Sequence, residues 1–467
     1  MKSHQPSCDR RGDVPALSIE GWSRGLIKHA IVTVLVMLSL ICGSDANEAQ
    51  ELRRSGFIGV SAVALNEEMR KLIPPNETGI LVQSVIDGGS AKDSDIQPND
   101  IITQVNDHKV TDVADFVQTV KTLRAGDQAT IHLHRSGFSL TRQLLVKPRP
   151  YESAPDVNTL YQAVTVDGSL RRVIVTVPKT DGRHPAVLYI NGIGCFSQES
   201  ADLSSHDAKL LYGLTRAGFV TMRVEKSGMG DSQGPPCSQV DLEAEKRGYV
   251  TGLKALKKYL FVDPQQVFLV GISIGGVEAP LIAAEVPIKG VVVINTVIKP
   301  FLEYLMDTRR RQNLLAHVPY DEMERKLGIN ERCNHRLLID RQSFDDIMRD
   351  SPECRDYITY PAAQTYMQQW AALNPAAEWK KVSAQVLIVY GSSDFVSTIA
   401  DNPYMADVIN SFHPGHATLK MIPNMDHPMS KAASMEQSMN WPANTPRQFE
   451  PAVLETIKTW LRQQVGN

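Results

Sequence analysis

The stretch VFLVGISIGGVEAPLIAAEV, residues 267–286, decides the reading of the chain. Val267-Phe268-Leu269-Val270 is an unbroken apolar run, the pattern of a strand buried on both faces. Ala279–Val286 is a second apolar segment, and between the two lies Gly271-Ile272-Ser273-Ile274-Gly275. A strand that turns at once into a helix forces two stretches of backbone together. Glycines two before and two after Ser273 permit that approach, and the turn holds the hydroxyl out at the top of the sheet. Ser273 is therefore a candidate nucleophile; the alternative is an incidental serine in a turn.

Outward from this point, strands alternate with helices. Val164–Val166 and Val173–Val177 read as an antiparallel pair joined near Asp167-Gly168. Ala186–Ile190, Phe219–Val224, Ile288–Ile294 and Val386–Tyr390 read as further strands. Ala208–Ala217 reads as a helix, as does Leu242–Leu260 with Leu242, Tyr249, Val250, Leu253, Leu256 and Leu260 on one face. This alternation predicts an α/β domain with a mostly parallel sheet.

A serine hydroxyl is too weak an acid to react unaided and needs a base and a group to orient that base. Asp394 lies just past the strand ending at Tyr390, where site residues of such sheets collect. His427 follows the short strand Leu419–Ile422 in a loop, whereas His413 and His416 precede that strand. The alternative for Asp394 is a turn or cap aspartate. Asp426 is the poorer orienter, because adjacent residues seldom face each other. An oxyanion formed at Ser273 calls for backbone donors: the N–H of Ile274, and one from the loop Asn191-Gly192-Ile193-Gly194-Cys195, with Ile193 or a neighbour as donor.

These residues carry a resemblance. Residues 158–467 resemble an α/β-hydrolase-fold serine hydrolase, most closely in FVTMRVEKSGMGDSQGPP (219–236) and VDPQQVFLVGISIGGVEAPLIAAEVPIKGVVVIN (262–295). The resemblance implies Ser273, Asp394 and His427 as the catalytic triad. Glu225-Lys226-Ser227-Gly228 stands where the family usually has Asp-x-Arg-Gly, a departure that leaves the triad untouched. In this fold the loops holding Cys195 and Cys237 are neighbours, so a disulfide between them is expected. The region 297–380 lies between two strands and is too long for a simple connection, so it reads as a helical cap. Leu302–Leu315 and Tyr320–Leu327 look amphipathic, and Cys333 and Cys354 are placed to staple the cap. Its apolar content, with Met306, Met323 and Met348, fits a greasy acyl substrate as well as plain packing. Arg309-Arg310-Arg311 reads as a solvated helix face rather than an anion site.

Upstream, residues 50–148 alternate short apolar runs with turns, the pattern of a small β-rich module. One helix fits, Asp112–Leu123, with Val113, Phe116, Val117, Val120 and Leu123 on one face. Gly56-Phe57-Ile58-Gly59-Val60 and GILVQSVIDGGSAKDSDIQPNDIITQVNDHKV (79–110) are similar to a PDZ domain of the bacterial type. The resemblance implies that Phe57, Ile58 and Gly59 offer N–H groups to a peptide C-terminal carboxylate. The other outcome is a module that has lost its groove and only packs on its neighbour. Lys147-Pro148-Arg149-Pro150 reads as a stiff connector, with the hydrolase domain over 155–467.

The N-terminus reads as an address. Ala30–Cys42 is an apolar run of 13 residues preceded by Arg24 and Lys28 and followed by Ser44-Asp45-Ala46. It is too short to favour a spanning helix and has the layout of a secretory signal over residues 1–46, either cleaved or kept as an anchor. A lipid-modified Cys42 is disfavoured by the bulk of Ile41. Export, periplasmic or secreted, agrees with an even set of four cysteines beyond this segment; four unpaired thiols are the alternative.

What remains is exclusion. In 467 residues, 49 Lys+Arg against 52 Asp+Glu gives a net charge of −3, which argues against a nucleic-acid partner. No metal-ligand spacing, Walker loop or dinucleotide fingerprint appears, so no cofactor is expected; His132 and His134 belong to a strand. The expectation is an exported serine hydrolase acting on a carboxylic ester or thioester, with a PDZ module that docks a peptide or partner. A serine peptidase of the same fold and a non-catalytic binding scaffold are the rivals. A membrane would be met only through a retained N-terminal anchor.

Overall fold

The computed structural model describes residues 52–442 and 445–466. The N-terminal address, with Cys8 and Cys42, lies outside the described residues.

The apolar runs of the second part pair into one eight-stranded sheet. Its strands are β9 (Val157–Val166), β10 (Ser169–Pro178), β11 (His184–Ile190), β12 (Val220–Val224), β13 (Val262–Ile272), β14 (Gly290–Ile294), β15 (Gln385–Gly391) and β16 (Ala417–Ile422). The order is β16-β15-β14-β13-β11-β12-β10-β9, parallel throughout β16 to β12, with β10 antiparallel to both its neighbours. Successive side chains serve two cores, as a period of two requires. Leu188, Leu269, Val291 and Ile388 pack on one side with the Leu242–Leu256 helix, while Tyr189, Phe268, Val292 and Leu387 pack on the other with Ile457 and Trp460 of the C-terminal helix. Strands covered on both faces explain the unbroken apolar runs.

The Leu242–Leu256 helix stops before Leu260, which is 85% exposed rather than on the buried face. The chain must reverse into β13 at Val262, and Tyr259 and Phe261, whose rings stack at 4.9 Å, take the apolar contacts of that turn instead. Between β14 and β15 the helices Phe301–Leu315, Tyr320–Asn334, Phe344–Asp350 and Gln364–Ala371 form a layer whose core also takes in Leu242, Ile274, Val277 and Leu281 beneath it.

The first part is a separate sheet. β2 (Val60–Ala64), β3 (Ile80–Val85), β4 (Ile101–Val105), β6 (Gln128–Arg135) and β7 (Phe138–Leu145) run in the order β2-β3-β4-β6-β7, with β5 (His108–Lys109) paired to β4. β1 (Gly56–Phe57) pairs separately with β8 (Lys147–Pro148). Asp112 caps the Val113–Thr122 helix by accepting the Asp115 N–H at 2.9 Å. Phe116 and Leu123 are buried under it, but Val117 is 41% exposed and does not join the core. A short helix on a small sheet can bury only one stripe, and Val117 falls at its margin.

The two sheets are joined by buried charge. Arg54, just before β1, ion-pairs with Glu199 and, at 2.8 Å, with Asp231, all three side chains being nearly sealed from water. Asp231 also holds Arg172 at 3.0 Å and accepts the Ser55 N–H at 2.7 Å. The Arg54 guanidinium lies over the rings of Tyr151 and Tyr161, 4.5 and 5.0 Å from their centroids. Removing Arg54 leaves the buried Glu199 with Arg149, at 3.4 Å, as its countercharge and Asp231 with Arg172. Arg54→Met is therefore expected to lower stability by about 3–5 kcal/mol, read from the urea unfolding midpoint of the full chain. An unchanged midpoint would show that Arg54 contributes nothing to the union.

Candidate active site

The candidate nucleophile, base, orienting acid and oxyanion loop sit at the carboxyl edge of the sheet. Asn191 follows β11, Ser273 follows β13, Asp394 lies just beyond β15 and His427 beyond β16. This edge is where ligands meet open α/β sheets.

Ser273 has φ 55° and ψ −123°, a conformation that L residues avoid. The surroundings enforce it. A Cβ on Gly271 would lie 2.3 Å from Gly275 O, and one on Gly275 would lie 2.2 Å from Ile190 O. The Ser273 N–H donates to Ile294 O at 3.0 Å, and its carbonyl accepts from Thr296 Oγ1 at 2.7 Å. The Ile274–Ala283 helix starts at the next residue, so the Ile274 N–H is one of the donors that a helix start leaves without an intrahelical partner.

Asp394 and His427 come together. His427 Nδ1 lies 2.9 Å from Asp394 Oδ2, and the Asp394 side chain is fully buried. The Val396 and Ser397 N–H groups donate to its other oxygen at 2.7 and 3.1 Å, and the Ser397 hydroxyl also donates to the carboxylate. Burial pulls the His427 imidazole down, but the charge and hydrogen bond of Asp394 outweigh it, and the net result is a pKa above that of an ordinary histidine. Asp426 points elsewhere: it accepts the Ser430 N–H at 2.7 Å and Arg447 Nη1 at 2.6 Å. The Asn295 side-chain amide donates to the carbonyls of Asp426 and His427, both at 2.9 Å, which ties the histidine loop to the end of β14.

The loop after β11 lies against the serine, since a Cβ on Gly192 would be 3.7 Å from Ser273 Cβ. The Gly192 N–H donates to Asn191 Oδ1 at 2.7 Å, so the next donor along the loop is Ile193. Cys195 and Cys237 are disulfide-bonded behind it, and Cys333 and Cys354 are bonded within the cap. The side chains of Ile193, Ile274 and Val277 pack in one cluster with Phe301, Tyr304 and Trp370 of the cap. The arginine run is not a wholly solvated face. Arg310 is exposed and pairs with Glu324, but Arg311 turns inward and donates to the carbonyls of Phe395 and Val396, each at 3.0 Å. That joins the cap to the Asp394 loop.

In the first part, Phe57, Ile58 and Gly59 form a turn with inward carbonyls. Ser90 Oγ donates to Phe57 O at 3.0 Å, the Ala91 N–H to Ile58 O at 2.9 Å and the Ile86 N–H to Gly59 O at 2.8 Å. Gly59 has φ 76°, and a Cβ there would lie 2.6 Å from Gly89 Cα, so only glycine fits. Among the described residues no group of His, Cys, Asp or Glu is arranged to hold a metal ion, and no helix is long and apolar enough to cross a membrane.

Comparison with known proteins agrees with this architecture. A PDZ domain model matches residues 56–146, and a model described as "Serine aminopeptidase, S33" matches residues 199–431. Esterase EstD of Thermotoga maritima is 24% identical over 239 residues, 51% of this chain and 53% of that protein. A probable periplasmic serine endoprotease, DegP-like, of Pseudomonas fluorescens is 31% identical over 85 residues, 18% of this chain and 17% of its own. The chain thus spans about half of the first relative and about a sixth of the second. Est1E of Butyrivibrio proteoclasticus, solved with ferulic acid bound, has 18% identity and a TM-score of 0.44, covering 66% of this chain and 100% of its own. The second part of the chain thus has the α/β-hydrolase fold, with a match to the S33 serine aminopeptidase family over residues 199–431, and a PDZ domain stands ahead of it.

Proposed function

We propose that the chain is an exported serine hydrolase that cleaves a carboxylic ester or thioester through an acyl-enzyme. The observation that carries this reading is the strained Ser273 turn at the same sheet edge as the His427–Asp394 pair. Ser273 Oγ attacks the carbonyl carbon while His427 Nε2 takes its proton. Asp394 holds Nδ1 and stabilises the imidazolium. The Ile274 N–H, with that of Ile193, faces the oxyanion. His427 then gives the proton to the departing alcohol or thiol, and water, activated by the same histidine, releases the acid. The esterase relative supports ester over amide substrates. A peptidase is the second reading, favoured by the description of the family model over residues 199–431. Export is supported by the two disulfides and by the signal-like sequence before residue 47.

Fluorophosphonate labelling of the full chain needs no knowledge of the substrate. Label is expected on Ser273 alone, with Ser273→Ala losing both label and ester turnover by at least about 10³-fold. Turnover of short acyl esters against aminoacyl amides separates esterase from peptidase. A wild-type protein that takes no label and turns over neither class would leave the scaffold reading.

The state of His427 gives a pH dependence. Acylation needs the neutral imidazole, so kcat/KM should fall as pH drops through its raised pKa. In Asp394→Asn the burial remains and the countercharge is gone. The acid limb should then move to lower pH while the plateau falls by about 10⁴-fold. An acid limb that stays in place would mean that another group controls it.

For the PDZ domain we infer docking of a peptide C-terminus. β2 is an end strand of its sheet among the described residues, with the partly exposed Val117 on the neighbouring helix. An extended peptide would add along β2 with its carboxylate at the Phe57–Gly59 turn. A fluorescent peptide selected from a C-terminal library should bind with a free carboxylate, and should lose binding when amidated or when Gly59 is changed to Val. Equal binding of the acid and amide forms would refute carboxylate recognition.

A further inference from the structure

The loop Glu225-Lys226-Ser227-Gly228, which departs from the family pattern, carries a buried cation. Lys226 follows β12 and is only 5% exposed. An ammonium out of water needs strong partners. It has two: Glu245 Oε1 at 2.9 Å, from the Leu242–Leu256 helix, and the carbonyl of Gly192, to which Nζ donates at 2.8 Å.

The second contact bears on chemistry. Gly192 C=O and Ile193 N–H are the two ends of one planar trans peptide and point in opposite directions. Gripping the carbonyl fixes the aim of the N–H. A cation on the carbonyl oxygen also polarises the amide and strengthens its donor. The neighbouring Gly192 N–H is already bound to Asn191 Oδ1.

We propose, resting on the serine-hydrolase reading, that Lys226 is a positioning residue that aims the Ile193 N–H at the oxyanion, with Glu245, Glu278 and Tyr366 as its buried support. Glu278 belongs to the helix that starts beside Ser273 and is wholly buried, and the Tyr366 hydroxyl of the cap donates to its Oε1 at 2.9 Å. Burial and the facing charge of Glu245 push Glu278 well above the usual carboxylate range. Glu225 is turned away, accepting from Ser197 and from the Gln198 N–H at 3.0 Å. The adjoining cavity, lined by Ile193, Cys195, Lys226, Cys237, Glu245 and Tyr366 among others, holds about 10 Å³, room for a single water. Lys226 therefore has no space to bind an anionic substrate group directly.

The test uses the full chain, after fluorophosphonate has labelled wild-type Ser273. Lys226→Met removes the grip; Lys226→Met with Glu245→Gln removes it without stranding a buried carboxylate, which protects the fold. The readouts are kcat and KM on a p-nitrophenyl acyl ester and the affinity of a trifluoromethyl ketone, whose adduct places an oxyanion in the hole. Both variants are expected to lose about tenfold to a hundredfold in kcat. KM should change by less than about threefold, and ketone affinity should fall in step with kcat/KM. Lys226→Arg, which keeps charge and donors, should recover part of the loss. A folded double variant that keeps kcat and ketone affinity within about threefold of wild type would overturn the proposal. So would a fall in kcat with unchanged ketone affinity, which a merely structural role would give. Absence of label on wild-type Ser273 would instead sink the serine-hydrolase reading, and this proposal with it.

Discussion

The close passage of β13 past the start of the Ile274–Ala283 helix is the constraint on which the second domain turns. Gly271 and Gly275 sit where any side chain would meet backbone at about 2.2–2.3 Å, so this crossing exists only with glycine. The strand before it is locked between β11 and β14, and the helix after it is buried over its whole length up to Ile282. The one residue between them is left at φ 55° with a polar side chain. Backbone strain of order 1–3 kcal/mol persists at a site only when packing on both sides over-determines it. Here it is held by the buried end of a strand, Val267–Ile272, on one side and a buried helix on the other.

Around that turn, several buried polar groups hold loop carbonyls and carboxylates, and this organises the loops. Asn295 holds the two carbonyls of the histidine loop, Arg447 holds Asp426, and Arg311 holds the carbonyls beyond Asp394. The Asn295 and Arg311 contacts join elements far apart in sequence. Together they fix the relative positions of loops that have no regular structure of their own. The cap is part of the same arrangement, because Ile193 and Ile274 place their side chains among Phe301, Tyr304 and Trp370. A shift of the cap would therefore be felt at both residues whose backbone faces the proposed oxyanion.

The repeated features were legible in the sequence. Buried strands announce themselves as apolar runs, the Gly271–Gly275 pentapeptide marks its own turn, and Asp394 and His427 are indicated by their places after strands. What escaped was non-periodic. Nothing in the spacing of Lys226, Glu245 and Glu278 says that three ionisable residues lie buried together, and Arg311 looks no different from the exposed Arg310 beside it. Leu260 and Val117 were drawn into helix faces by period alone. A period cannot tell where a strand must begin or how much of a helix a small sheet can cover.

The union of the two domains follows the same physics. A greasy interface would tolerate sliding, since apolar contact is non-directional. The Arg54 cluster does not, because its hydrogen bonds are directional and a slip would take the guanidinium away from both Glu199 and Asp231, leaving Asp231 with Arg172 as its charged partner. Both carboxylates belong to the hydrolase domain: Glu199 lies in the loop that continues from Asn191–Cys195, and Asp231 in the loop that begins at Glu225. On the other side, Arg54 and Ser55 lead directly into β1 and the Phe57–Gly59 turn. The PDZ turn is thus held in register with the same two loops that flank Gly192 and Lys226, by charges whose burial is tolerable in one arrangement only.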